Sequence, residues 1–315
     1  ARGSTAVGAP DAAGARAMIV ATRALTDRPF NVNLFAHAPP RVRPAEEQAW
    51  LAALAPLFAA QDAAPPTGLE TIYRSFAEDP AMLDLLVETP PRVVSFHFGL
   101  PGAEQIAALK QAGCLLLASV TNLDEAVAAR TAGIDVLVAQ GFEAGGHRGM
   151  FDPDAPDAML GTFALTRLLV AKAGLPVIAA GGIMDGRGVR AAFDLGAIAA
   201  QLGTAFIACP ESSADAAYRA ALASPAAQHT VMTRAISGRP ARCLANRFTQ
   251  WGAENGNDVP DYPRAYAAGK ALNAAAKIQG EGGYGAQWAG QGAPLARVLP
   301  AADLIAAIAE EMEAK

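Results

Sequence analysis

The sequence predicts an α/β fold on a parallel sheet, and three observations carry that prediction. Short apolar runs alternate with helical stretches, starting about 20 residues apart with one gap of about 40. Each run is strand-length and apolar throughout, as strands covered on both faces are. The 315 residues are 52% hydrophobic and only 17% charged, enough apolar material for a large core. This pattern fits an open doubly wound sheet or a (β/α)8 barrel.

Taken in order, the candidate strands are Ser4–Val7, Phe30–Phe35, Val93–Phe98, Cys114–Val120, Ile134–Gln140, Pro176–Gly181 and Ile198–Gly203. Ala103–Gln111 reads as a helix from the helical spacing of its apolar residues. Leu123–Thr131 carries Asp124 and Glu125 in its first turn, where the helix dipole favours negative charge. Asp185–Leu195 follows a Gly-Gly turn, and Ala301–Lys315 is the last helix. Pro39–Glu88 is long for one connection, and helices are expected near Glu46–Ala60 and Gly68–Phe76. Pro210–Val298 shows no repeat and reads as a mostly helical and looped appendage over one end of the sheet. The expected division is therefore residues 1–209 with 299–315 as the barrel, and 210–298 as the appendage.

Composition excludes several classes of function. Net charge is −5 with no dense Lys/Arg block, which disfavours nucleic acid or an anionic membrane as partner. Three cysteines, Cys114, Cys209 and Cys243, show neither a disulfide framework nor metal-ligand spacing. No apolar run reaches transmembrane length and no signal peptide is visible, so a cytoplasmic location is expected. Walker, G-x-S-x-G and H-E-x-x-H motifs are absent.

Two glycine motifs and one histidine loop carry the chemistry. Gly181 and Gly182 end one strand, and Gln201, Leu202, Gly203 and Thr204 end the next. In a barrel these are the last two strand ends, where backbone N–H groups and a helix N-terminus commonly bind phosphate. Glycine lets a phosphate approach the backbone closely. Gln140-Gly-Phe-Glu-Ala-Gly-Gly-His-Arg-Gly149 follows a buried strand, so its side chains sit at the rim where barrel enzymes place chemistry. There Gly145 and Gly146 let His147 project, and imidazole suits proton transfer near neutral pH. Glu143 either orients His147 or forms a loop salt bridge. Asn33 and Gln140 are polar on apolar strands and need partners, which a ligand would supply. His97 reads as packed, His229 as structural or solvated, and Cys209 as a buried thiol.

Phe30-Asn-Val-Asn-Leu-Phe35, Val94-Ser-Phe-His-Phe-Gly99, Gln140 through Gly149, Ala179-Ala-Gly-Gly-Ile183 and Gln201-Leu-Gly-Thr204 together resemble the nitronate monooxygenases, formerly 2-nitropropane dioxygenases. Ser237-Gly-Arg-Pro-Ala-Arg242 and Trp288-Ala-Gly-Gln291 are similar to the bacterial class I branch. The resemblance spans nearly the whole chain. It implies a TIM (β/α)8 barrel holding non-covalent FMN, with Asn33, Gln140 and Gly145 on the flavin. Gly182 and the run Gln201, Leu202, Gly203 and Thr204 would hold the phosphate, and His147 would be the active-site histidine. The implied reaction is oxidation of an alkyl nitronate, such as propionate 3-nitronate, by O2 to a carbonyl compound with nitrite and nitrate. A nitronate is an anion, so charge-assisted hydrogen bonds from His147 and nearby cations are expected.

Members of that family open with a strand ending in Pro-Met, a helix and a Gly-Gly-Leu-Gly turn. Ala1-Arg-Gly-Ser-Thr resembles the run just after that turn, so the first βα unit is expected to be missing and seven strands to remain. Two other readings use the same residues: an NAD(P)H-dependent flavin reductase of quinones or enoyl thioesters, and a non-catalytic flavin- or phosphate-binding protein. The oligomeric state is left open by the sequence.

Overall fold

The seven apolar runs pair side by side as expected, and every pairing is parallel. The computed structural model describes residues 3–256 and 258–314. Ala1, Arg2, Asn257 and Lys315, which fall within expected segments, lie outside the described residues. The strands are β1 (Ser4–Ala6), β2 (Asn31–Phe35), β3 (Val93–His97), β4 (Leu115–Val120), β5 (Val136–Gln140), β7 (Val177–Ala180) and β8 (Ala199–Gln201), in that spatial order. The two-residue strand β6 (Gly146–His147) belongs to a second sheet. The large sheet curls as a TIM barrel does, but β1 and β8 do not pair with each other among the described residues.

Alternation along the strands gives the curled sheet two different faces. Val32, Leu34, Val94, Phe96, Leu116, Leu137 and Val177 point outward and are at most 1% exposed. They form one core with Ile19, Leu86, Leu109, Leu165 and Leu169 from the surrounding helices. Each such side chain contributes about 2 kcal/mol of transfer free energy, so this layer dominates the stability of the barrel. The intervening residues point inward and are more polar: Asn31, Asn33, Ser95, His97, Ser119 and Gln140. Parallel strands are held on their outer face by helices, so the polar inner face is free to line a cavity.

The helices follow local rules. Asn122 caps Leu123–Ala132 by accepting from the Glu125 N–H, and Gly133 ends that helix in the left-handed region. Asp185 caps Gly186–Asp194 in the same way through the Gly188 N–H. Ala301–Glu313 packs on the latter helix, with the Glu311 carboxylate accepting from the Gly186 N–H at 2.8 Å. Among the described residues no helix is long and apolar enough to cross a membrane.

One expectation is corrected. Gly68–Phe76 is not a helix; the helix of that region is Pro80–Glu88. Asp79 caps it through the Met82 N–H, Pro80 occupies its first turn, and Met82, Leu85 and Leu86 form its buried stripe. The appendage is mostly helical and looped, with one small sheet that the sequence did not announce. It contributes β9 (Thr230–Thr233) and β10 (Ala241–Leu244), which pair antiparallel with each other, while β10 also pairs with β6. Helices Ala216–Leu222, Arg247–Asn255 and Arg264–Ile278 surround this small sheet. Pro44–Ala59 packs against Arg264–Ile278 in a second core containing Trp50, Leu54, Phe58, Phe248, Leu272 and Tyr284.

Candidate active site

The inward faces of the curled strands and the loops at their C-terminal ends enclose a cavity of about 340 Å³. Asn33, Gln140, Gly145, His147, Gly181, Gly182, Gln201, Gly203 and Thr204 all line it. Leu202 does not: its side chain turns away to pack near Met184, Cys209 and Leu304. Consecutive residues of an extended run face opposite sides, so Gln201 and Gly203 face the cavity while Leu202 joins the core.

His147 is held from several directions. The β10–β6 pairing places it opposite Ala241. Its carbonyl accepts from Gln140 Nε2 at 2.9 Å and from His97 Nε2 at 3.2 Å. Gln140 Oε1 accepts from the Gly149 N–H at 2.7 Å, so this amide braces the loop at both ends. His97 thus acts through the loop backbone, a role its sequence position did not reveal. Glu143 has neither expected role: it accepts from Thr162 N at 2.7 and 2.9 Å and from Thr162 Oγ1 at 3.0 Å, capping the helix Thr162–Lys172.

The imidazole itself makes one polar contact, between Nε2 and Ser237 Oγ at 2.8 Å. The Ser237 hydroxyl donates to the Arg239 carbonyl at 3.3 Å, so its oxygen accepts from Nε2–H. That assigns the proton to Nε2 and leaves Nδ1 with a free lone pair at the cavity. Aromatic rings pack around the imidazole, with centroids at 4.9 Å for Trp288, 5.3 Å for Tyr262, 5.4 Å for Phe98 and 6.0 Å for Tyr266. Burial, with smaller contributions from His97 and Arg239, lowers its pKa to about 3. Burial likewise takes His97 down to about 4. Burial thus favours the neutral form of both rings. Tyr284 lies elsewhere, beside Phe248 in the second core.

Fit to a flavin phosphate can be judged from the glycine end. A side-chain carbon on Gly203 would meet nothing within 4 Å. The N–H groups of Gly182, Gly203 and Thr204 have no partner among the described residues. Gly181 and Gly182 have φ of +123° and +69°, so this turn requires glycine. Open space faced by unpaired backbone donors suits an anion. Deeper in the barrel, Asn31 donates to Ser4 and Ser95, Ser95 donates to Asn33 Oδ1 at 2.8 Å, and Asn31 Oδ1 has no partner among the described residues. A buried unpaired acceptor beside the unsatisfied Asn33 amide suits the polar edge of a flat heterocycle. The residues present therefore fit a flavin.

The appendage closes over the histidine loop with no spare space. A side-chain carbon on Gly145 would lie 2.4 Å from the Gly290 nitrogen, and Gln291 N–H donates to the Glu143 carbonyl at 2.9 Å. Tyr218 hydroxyl donates to the Trp288 carbonyl. Burial raises the Tyr266 phenol to about 12, so this wall is neutral as well.

Comparison with known proteins agrees with this geometry. The sequence profile of the family described as nitronate monooxygenase matches residues 2–311. A nitronate monooxygenase of Paraburkholderia phytofirmans is 61% identical over 312 residues, covering 99% of this chain and 85% of that protein. One from Pseudomonas aeruginosa is 54% identical over 311 residues, covering 98% and 89%. Among solved structures, nitroalkane oxidase from Streptomyces ansochromogenes superposes with a TM-score of 0.90 at 39% identity, covering 99% of this chain and 88% of that one. FabK from Thermotoga maritima gives 0.71 at 28% identity, covering 97% and 83%. The chain belongs to the nitronate monooxygenase family, whose members are flavin-dependent oxidoreductases.

Proposed function

We propose that this chain oxidises alkyl nitronates with O2, using FMN, to give a carbonyl compound with nitrite and nitrate. The observation that carries the reading is His147, held through Nε2 by Ser237 with Nδ1 free, lining the same cavity as the unpaired glycine donors. Flavin, when bound, would supply the redox chemistry between nitronate and O2.

The chain's own residues bind, orient and exclude water. Backbone groups at Gly181, Gly182, Gly203 and Thr204 take the phosphate, with Gln201 at the rim and Leu202 contributing only backbone. Asn33, Gln140 and Gly145 border the isoalloxazine. The appendage, residues 210–298, covers the barrel comprising 1–209 and 299–315, and Tyr262, Tyr266 and Trp288 wall the substrate space. A nitronate is already deprotonated at carbon and needs no proton transfer to His147, whose ring serves there as part of the aromatic wall. With a neutral nitroalkane, Nδ1 takes the carbon-bound proton, which the low pKa leaves it free to accept but weakly basic toward. Nitronates are therefore the better substrates.

His147→Asn tests the assignment. The variant keeps the fold and its flavin, because the phosphate donors lie elsewhere. Neutral-nitroalkane turnover falls by about 100-fold or more, the scale of a lost general base, and nitronate turnover falls less. Unchanged rates with both substrates would remove His147 from the chemistry.

A further inference from the structure

Among the described residues, none of the side chains lining the cavity is charged. A cavity that takes an anionic substrate between neutral histidines needs positive potential from behind its wall. Arg239 is placed to supply it. Its side chain is buried, 4% exposed, and its guanidinium has no ion-pair partner among the described residues. One Nη donates to the Met150 carbonyl, Nε has no partner, and Cζ lies 4.4 Å from the centroid of the Phe98 ring. Buried guanidinium groups are ordinarily paired with carboxylates, because an uncompensated charge out of water is strongly unfavourable.

The ring under Arg239 is itself held against backbone preference. Phe98 has a φ of +76°, unusual for a bulky residue. The next residue, Gly99, has a φ of +146°, and a side-chain carbon there would meet the Ala36 carbonyl at 2.7 Å. This tight turn sets the Phe98 ring 4.5 Å from His97, 5.4 Å from His147 and 5.2 Å from Tyr262. Two locally costly features, an unpaired cation and a strained aromatic residue, converge on the wall between Arg239 and the cavity. The Arg239 carbonyl also accepts from Ser237 Oγ, the partner of His147 Nε2.

We propose that Arg239 is a positioning residue that makes the cavity an anion site: its guanidinium acts across the Phe98 ring as the counter-charge for a planar anion, a nitronate in the proposed reaction. This rests on the nitronate reading for the identity of the substrate, though not for the existence of the anion site. The same charge adds to burial in lowering the pKa values of His37, His97 and His147. The groups facing Arg239 in return are Tyr262, Arg234, Asp152 and Glu125, none of them paired with it.

The test uses nitrate, a planar anion that cannot be oxidised, titrated into the flavin-loaded protein by calorimetry, with steady-state kinetics on a nitronate and a neutral nitroalkane. A unit charge about 10 Å away at an effective dielectric near 20 is worth roughly tenfold in affinity. Arg239→Met is expected to weaken nitrate binding and raise the nitronate KM by about tenfold, with a smaller effect on kcat and on the neutral substrate. Arg239→Lys is expected to restore most of the loss, because the charge rather than the guanidinium shape is required. If Arg239→Met does not fold, Arg239→Gln keeps a donor for the Met150 carbonyl and carries the same comparison. Equal losses with anionic and neutral substrates, or a Lys variant no better than the neutral ones, would overturn the proposal. Nitrate binding that depends on Arg239 in a protein that does not turn over nitronates would instead overturn the substrate reading and leave the anion site standing.

Discussion

Gly203→Val separates flavin binding from folding more cleanly than any other substitution in the glycine motifs. Gly203 has φ −119° and ψ −62°, on the negative-φ side, whereas Gly182 at φ +69° would be strained by any side chain. A side-chain carbon at position 203 meets no atom within 4 Å, so stability should change by no more than about 0.5 kcal/mol. The same carbons project into the space faced by the unpaired N–H groups of Gly182, Gly203 and Thr204. Displacing a phosphate from one charge-assisted hydrogen bond costs about 1.5–3 kcal/mol, or roughly 10- to 100-fold in affinity. The assay is an FMN titration of the stripped protein by flavin fluorescence, paired with urea denaturation of the same sample. Unchanged FMN affinity in a normally folded variant would place the phosphate elsewhere.

Three further outcomes follow from particular contacts. Gly145→Ala should destabilise the protein by about 1–3 kcal/mol in urea melts, because its methyl meets the Gly290 nitrogen at 2.4 Å and backbone must move; a neutral effect would mean that the loop and appendage close less tightly. Glu47 accepts from Arg264 Nε at 2.5 Å and Nη2 at 2.6 Å in the second core, with both side chains nearly buried, so Glu47→Ala should cost about 3–5 kcal/mol by stranding the arginine. For pH, His97 and His147 fall from 6.5 to about 4 and about 3 on folding, so the unfolded chain binds protons that the folded one does not. Their contribution is complete above about pH 6.5 and is lost as pH falls toward 4, by up to about 1.4 kcal/mol per pH unit for each histidine. Replacing His97 by Gln should make that decline shallower in urea melts from pH 7 to 4.5, and an unaltered slope would show that its ring is not held neutral.

The barrel was legible because outward-facing Val, Leu and Phe give each strand an apolar signature, and the acidic first turn Asp124–Glu125 and the Gly-Gly turn before Asp185 mark helix starts. Strands β9 and β10 were not legible. Thr230–Thr233 and Ala241–Leu244 are short and of mixed polarity, and their pairing with β6 is a long-range contact that periodicity does not encode. Gly68–Phe76 was misread because Thr67 and Glu70 mimic a capping box, whereas the helix of this stretch starts where Asp79 caps Pro80. In the site, the glycine turns and His147 stood out because their residue types are restricted by close approach and by chemistry. Glu143 was misread because its partner, Thr162, is 19 residues on in a different element. Asn31, Ser237, Phe98 and Arg239 fall within motifs that marked the resemblance, but their roles were not legible, since these lie in unpaired or strained groups that only tertiary packing brings together.

The central claim is that the cavity oxidises nitronates, and one oxygen-electrode experiment tests it most directly. The FMN-loaded protein is given propionate 3-nitronate in one run and NADH in another, with nitrite measured at the end of each. The structure predicts rapid O2 uptake with nitrite release from the nitronate and slow or no uptake with NADH. Rapid NADH oxidation with no nitronate-dependent uptake would contradict it and assign the same barrel to a flavin reductase.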